Sequence, residues 1–245
     1  MQDFSSLQKN LNKYSIKSIN TTIRNYKIIY KFSDIMKWIS YQSPILYEFS
    51  LRMIHGKKLW RRYAYIAKNI KKGSSVLDIG CGTGILGRQL NKKCRYKGID
   101  LNKSFINYAL KKGLDVSVHD IFNFKSYLKK FNVIVVCDVL HHIYPKHKIF
   151  LENIKNYADK IILCEPYDIS QAYENKGYIR FLEKMKTFLV ILDSDGYNPL
   201  RLKFNKKWWY DKNSLKTFFK KSFKNRKSLT MKEVGRNIIA IYNFI

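Results

Sequence analysis

From residue 76 onward the chain alternates short apolar runs with stretches whose apolar positions recur at helical spacing. VLDIG (76–80) climbs through apolar residues past an acid and closes on glycine, the pattern of a buried parallel strand ending in a tight loop. ILGRQLNKK then reads as a helix, RYKGI (95–99) as a second strand and LNKSFINYALKKG as a second helix. DVSVH (115–119), FNVIVVC (131–137) and KIILCEP (160–166) read as the third, fourth and fifth strands. This rhythm predicts right-handed crossovers and a Rossmann-like α/β fold, with a mostly parallel sheet and helices on both faces. Near the end, KSLTMKEVG and RNIIAIYNFI read as an antiparallel pair meeting at Gly235, which brings the sheet to seven strands. A helix precedes them, NSLKTFFKKSF, with Asn213 or Asp211 as its cap.

The flanks break the rhythm. Residues 1–20 are polar with scattered apolar positions. In 23–41, Ile28, Ile29, Phe32, Ile35, Met36 and Ile39 fall at helical spacing among lysines, which suits a cap helix over a crevice or a helix lying on a membrane. Ser43-Pro44 opens another helix that breaks near Gly56, and LWRRYAYIAKNI carries on as the helix before the glycine strand. Residues 167–210 hold a long helical pattern, a turn at SDGYNP and the aromatic, basic LRLKFNKKWWY. The expected organisation is a helical cap over 1–56 and an α/β domain over 57–245 carrying an insert at 167–210.

No apolar run is long enough for a membrane span, and MQDFSSLQKN lacks the pattern of a signal peptide. Cys81, Cys94, Cys137 and Cys164 form no CxxC pair, so reduced thiols, no metal site and a cytoplasmic location are expected. The formal net charge of +29 changes the picture. It points to RNA or an anionic membrane surface as a partner. Position tempers this: Lys71-Lys72, Lys92-Lys93, Lys111-Lys112 and Lys129-Lys130 each come shortly before a strand, at the sheet edge opposite a ligand crevice.

The chemistry centres on VLDIGCGTG. Gly80, Gly82 and Gly84 alternate with Cys81 and Thr83, leaving room for a ligand against the backbone at a helix N-terminus. Dinucleotide folds use a similar turn with an acid about 20 residues on, where Asp100 stands. Asp78, still on the strand, is awkward beside a pyrophosphate and suits a cationic ligand with an amino group and a sulfonium.

VLDIGCGTG resembles motif I of the class I S-adenosylmethionine-dependent methyltransferases, and the resemblance extends over about residues 57–165. The type 11 small-molecule group looks most similar. The resemblance implies S-adenosylmethionine as cofactor. It places Asp78 and Gly80 near the methionine amino group, Cys81 and Gly82 among the cofactor-binding residues, Asp100 on the ribose hydroxyls and Leu101 against the adenine. Asp120 and Ile121 would meet the adenine edge, and Asp138, in CDVLHHI, the methionine moiety. His142 and then His141 are the candidates for a proton acceptor, with Tyr144 and Glu165 behind them. Arg52, Arg61 or Arg62 is a candidate for a ligand carboxylate, although a solvated helix face accounts for any one of them.

An NPPY-type motif, typical of amino-group methylation on bases or glutamine, is absent after the fourth strand, where DVLH stands. The leading expectation is methyl transfer to a small, apolar or lipid-like acceptor; Trp208, Trp209 and Tyr210 either form its wall or pack the insert onto the sheet. RNA methylation, a non-catalytic cofactor-binding scaffold and a nicotinamide dehydrogenase are the alternatives.

Overall fold

The computed structural model describes residues 43–90, 92–124, 130–167 and 210–244. The helix expected over 23–41, most of the 167–210 insert, Trp208 and Trp209 lie outside the described residues.

Two helices lead in. Ser43 caps α1 (Pro44–His55) by accepting from Leu46 N–H, with Pro44 in the first turn. Gly56, at φ +52, turns the chain directly into α2 (Lys57–Lys68). A side chain rarely adopts that backbone conformation, which is why the break falls on glycine. Leu51 of α1 packs with Leu59 of α2, and the Tyr47 and Phe105 rings lie 4.6 Å apart.

The α/β body follows as β1 (Ser75–Ile79), α3 (Ile85–Leu90), β2 (Arg95–Asp100), α4 (Lys103–Lys111) and β3 (Val116–Val118). Next come β4 (Phe131–Cys137), α5 (His147–Ile154), β5 (Ala158–Pro166), α6 (Lys212–Ser222), β6 (Ser228–Val234) and β7 (Asn237–Asn243). The seven strands form one sheet in the order β3-β2-β1-β4-β5-β7-β6. The first five are parallel, and β7 runs antiparallel to both β5 and β6.

Strand side chains alternate between two cores, as the two-residue period of a buried strand requires. Leu77, Ile79, Ile134, Val136, Ile161 and Leu163 pack with Phe150, Leu151 and Ile154 of α5 and Leu215 and Phe219 of α6. Val76, Tyr96, Val133, Val135, Ile162 and Ile239 pack with Ile66 of α2, Leu86 of α3 and Ile106 of α4 on the other face.

Three elements differ from the sequence pattern. β3 is shorter than 115–119, but the ladder continues past both ends through Gly98 N–H to Asp115 O and His119 N–H to Asp100 O. α3 stops at Leu90, whose carbonyl accepts from both Lys93 and Cys94 N–H and closes the helix in a turn. α5 has no counterpart in the sequence pattern; it buries His147, Phe150, Leu151 and Ile154 without a side-chain cap.

The four cysteines carry no disulfide, and no described helix is long and apolar enough to cross a membrane. The lysines of 71–72, 92–93 and 111–112 are exposed just before β1, β2 and β3, on the amino side of the sheet.

Candidate functional site

The chain reverses its direction of travel across the sheet between β1 and β4, the two strands that start its two halves. In open α/β sheets the crevice outside the strand carboxyl ends at that point is where ligands bind. The β1 end supplies the glycine loop. Gly80 and Cys81 N–H both donate to Ile99 O, at 2.8 and 3.0 Å, which folds the loop back over β2. Gly80 sits at φ +72 with Val139 packed where a Cβ would be, so the loops after β1 and β4 touch through a position that admits no side chain. Arg88 of α3 ties the loop to α1, donating to Thr83 O at 2.9 Å while pairing with Glu48 at 2.7 Å.

Asp100, at the end of β2, closes the loop from the other side. One carboxylate oxygen accepts Gly82 N–H at 2.9 Å and the other accepts Asn102 N–H at 2.8 Å. Burial raises its pKa above the ordinary carboxylate value, against the pull of those N–H groups. Each oxygen keeps acceptor capacity, enough for two vicinal hydroxyls. Leu101 beside it is 64% exposed, an apolar surface available to a flat ring.

Asp78 lies deeper. It is 3% exposed and accepts the Tyr96 hydroxyl at 2.8 Å. Burial pushes its pKa up to about 7, with the Tyr96 bond opposing. Cys81 is buried beside it. At the third strand end, Asp120 is exposed and accepts Phe122 N–H at 2.9 Å in a local turn, while Ile121 is buried in the core with Ile99, Val139 and Leu140.

Asp138 follows β4 at φ +58, an unusual conformation for a residue with a side chain. Its N–H is held by Cys164 O at 2.9 Å, and its carboxylate meets Arg62 Nη2 at 2.7 Å. The solvated helix face expected of Arg62 is wrong. Arg62 is 1% exposed, on the inward row Leu59, Arg62, Ile66 of α2, whereas Arg52 and Arg61 are exposed. That inward spacing is the signal in the sequence that singles it out. Burial works against its charge and Asp138 sustains it. The ion pair lies outside hydrogen-bond angles, so the Nε, Nη1 and Nη2 donors have no hydrogen-bond acceptor among the described residues.

Glu165, at the end of β5, is fully buried and organises the β4 loop. One oxygen accepts Val139 and Leu140 N–H at 2.8 and 2.7 Å, and the other meets His141 Nδ1 at 2.7 Å. Burial raises its pKa, with His141 opposing. Glu165 therefore positions a loop and is not open to an acceptor molecule. His141 is buried by this contact, whereas His142 is exposed with its ring 4.1 Å from that of His141. His147, Tyr144 and Tyr210 pack on one another: the His147 ring stacks on Tyr144 and its Nε2 lies 3.4 Å from the Tyr210 hydroxyl. Burial lowers the His147 pKa to about 4.

A β3-β2-β1-β4-β5-β7-β6 sheet with a glycine loop after β1 and an acid closing β2 is the class I S-adenosylmethionine-dependent methyltransferase fold. Comparison with known proteins agrees. The model of the family described as "Methionine biosynthesis protein MetW" matches residues 61–180. A mouse (Mus musculus) protein named "Probable tRNA methyltransferase 9B" is 32% identical over 91 residues, 37% of this chain and 20% of that protein. "Probable (S)-tetrahydroprotoberberine N-methyltransferase 2" of Papaver bracteatum is 31% identical over 98 residues, 36% of this chain and 27% of that protein. The chain thus spans about a fifth to a quarter of the length of these relatives. Magnesium protoporphyrin IX methyltransferase from Synechocystis PCC 6803, solved with bound SAH, superposes with a TM-score of 0.52 at 16% identity. That match covers 79% of this chain and 85% of the other, a likeness of fold.

Proposed function

We propose that the protein binds S-adenosylmethionine at the carboxyl edge of β1, β2 and β4 and transfers its methyl group to a small, apolar or lipid-like acceptor. The observation that carries this reading is the Asp100 carboxylate, which closes the glycine loop through Gly82 N–H yet keeps lone pairs for a ribose diol.

The residues fit the cofactor at its other end as well. Its methionine portion is a zwitterion, and the pair of buried Arg62 and half-buried Asp138 presents one charge of each sign. The unsatisfied Arg62 donors suit a carboxylate, and Asp138 suits an ammonium. Asp78, sunk against Tyr96, supports the loop from beneath, which makes Asp138 the better ammonium partner. Leu101 offers the adenine an apolar face, with Asp120 and Ile121 at the neighbouring strand end.

When bound, the cofactor supplies a methyl carbon already activated by positive sulfur. The protein's work is then chiefly to hold donor and acceptor in line. Where the acceptor must lose a proton, the exposed His142 is our candidate to receive it, with His141 and Glu165 holding its loop. We assign residues 1–56 to a cap over this edge and 57–245 to the catalytic domain. α1 supports that assignment by reaching the glycine loop through Glu48 and Arg88.

RNA is the second acceptor reading, favoured by the +29 charge and by the mouse relative's name. One experiment tests both. The protein is incubated with methyl-labelled S-adenosylmethionine and a fractionated cell extract. Label in a lipid or small-metabolite fraction supports the first reading, and label in RNA replaces it with the second. Absence of calorimetric heat with either S-adenosylmethionine or its demethylated product sinks both.

A further inference from the structure

Ile45, Leu46, Phe49, Met53 and Trp60 make up more than half of the large exposed apolar side chains among the described residues, and all lie on α1 and α2. Ile45, Phe49 and Met53 stand at i, i+4 and i+8, a single row along α1, with Leu46 at its side. Their exposures of 69, 60 and 57% are high for side chains of this size in three consecutive turns. The row runs on to α2, because the Arg52 guanidinium stands over the Trp60 ring at 5.3 Å. The opposite face of α1 is already used: Leu51 is in the core, Tyr47 packs on Phe105, and Glu48 is paired with Arg88.

The exposed charge that α1 and α2 themselves carry has one sign. Glu48 is the only acid between residues 43 and 72, and it points inward to Arg88. Arg52, Lys57 and Arg61 are exposed, and the Lys58 side chain lies against Gly235 in the β6–β7 turn. A surface of large apolar side chains bordered by cations, with a tryptophan at the margin, fits the headgroup boundary of an anionic bilayer. Phosphates alone leave the apolar row unused, and an apolar protein partner leaves the cations unmatched.

We propose that the α1–α2 face docks the protein on anionic lipid surfaces. The apolar row enters the headgroup region, and Arg52, Lys57 and Arg61 lie among the lipid phosphates. Docking there places the element that anchors the glycine loop, through Glu48 and Arg88, at the bilayer. An apolar acceptor would then reach the site from the membrane. The docking does not depend on methyl transfer, so its test is read without cofactor.

The full chain is mixed with equimolar phosphatidylglycerol–phosphatidylcholine vesicles and with phosphatidylcholine vesicles, and binding is followed by co-sedimentation. The expected result is at least tenfold tighter binding to the anionic vesicles. It should weaken at least tenfold in the triple variant Ile45→Ser, Phe49→Ser, Met53→Ser, with the melting temperature unchanged. A second variant, Lys57→Gln with Arg61→Gln, should reduce the preference for anionic over neutral vesicles. Failure of the wild-type chain to bind, or equal binding by the triple variant, overturns the proposal. So does hydroxyl-radical protection of Phe49 and Met53 in the full chain without vesicles, since another protein surface would then cover the row. Loss of RNA binding in the triple variant with vesicle binding intact overturns it as well.

Discussion

The Asp100 carboxylate adds to the backbone bonds from Gly80 and Cys81 N–H to Ile99 O that hold the glycine loop at the end of β2, so removing it should loosen the cofactor site without disturbing the core. Asp100→Ala is expected to lower S-adenosylmethionine affinity at least tenfold by calorimetry, about 1.4 kcal/mol or more. Asp78 makes a prediction about pH. Its folded-state pKa, about 7, lies above its unfolded value, so the folded state holds the proton more tightly. Its contribution is most favourable in acid and is lost as pH rises toward 7; above that the Tyr96 hydroxyl bond offsets only part of the cost of the buried charge. The swing is on the order of 4 kcal/mol. Asp78→Asn keeps an acceptor for Tyr96 and removes the titration. Urea unfolding at pH 4.5 and pH 8 should therefore show wild type losing more stability than the variant over that interval. Asp78, Asp100 and Asp138 were legible in the sequence as acids at strand ends. The direction each side chain takes was not, because it follows from cross-strand partners such as Tyr96, which sits one strand over from Asp78.

At the scale of elements, the loop after β4 is held from β5. Glu165 is its anchor, accepting two backbone N–H groups and facing His141 within the core. An amide at this position turns one end into a donor aimed at a ring nitrogen. Glu165→Gln is expected to cost about 1–3 kcal/mol in the urea midpoint and to shift the His141 and His142 proton resonances together. Gly80→Ala meets both a positive φ and Val139, so it should abolish cofactor binding, or unfold in milder denaturant than wild type. The strands, α2, α4, α6 and the C-terminal pair were readable from periodicity, since buried parallel strands and one-sided helices carry distinct repeats. α5 escaped because it is short and uncapped. Arg62 escaped because a cation on an inward row is rarely buried unless a distant acid awaits it, here at the end of β4.

For the whole molecule, +29 is a strong self-repulsion that salt screens. The melting temperature should rise by several degrees between low ionic strength and about 0.5 M sodium chloride, a range over which the Debye length falls well below 10 Å. A flat response in scanning calorimetry would mean that bound anions or local pairing already offset the repulsion. The α/β class and the strand–helix order were visible in the sequence, because both follow from local pattern. The interleaving of β7 between β5 and β6 is a long-range pairing that local pattern leaves open.

That interleaving bears on biosynthesis. β5 carries Glu165, but its outer edge finds a partner only in residues 237–243, which leave the ribosome long after it. Until then a nascent chain holds the apolar IILC segment with a bare hydrogen-bonding edge, the form of strand most prone to pair with a stranger. A premature stop upstream of residue 237 would thus be expected to produce insoluble polypeptide instead of a weakened enzyme.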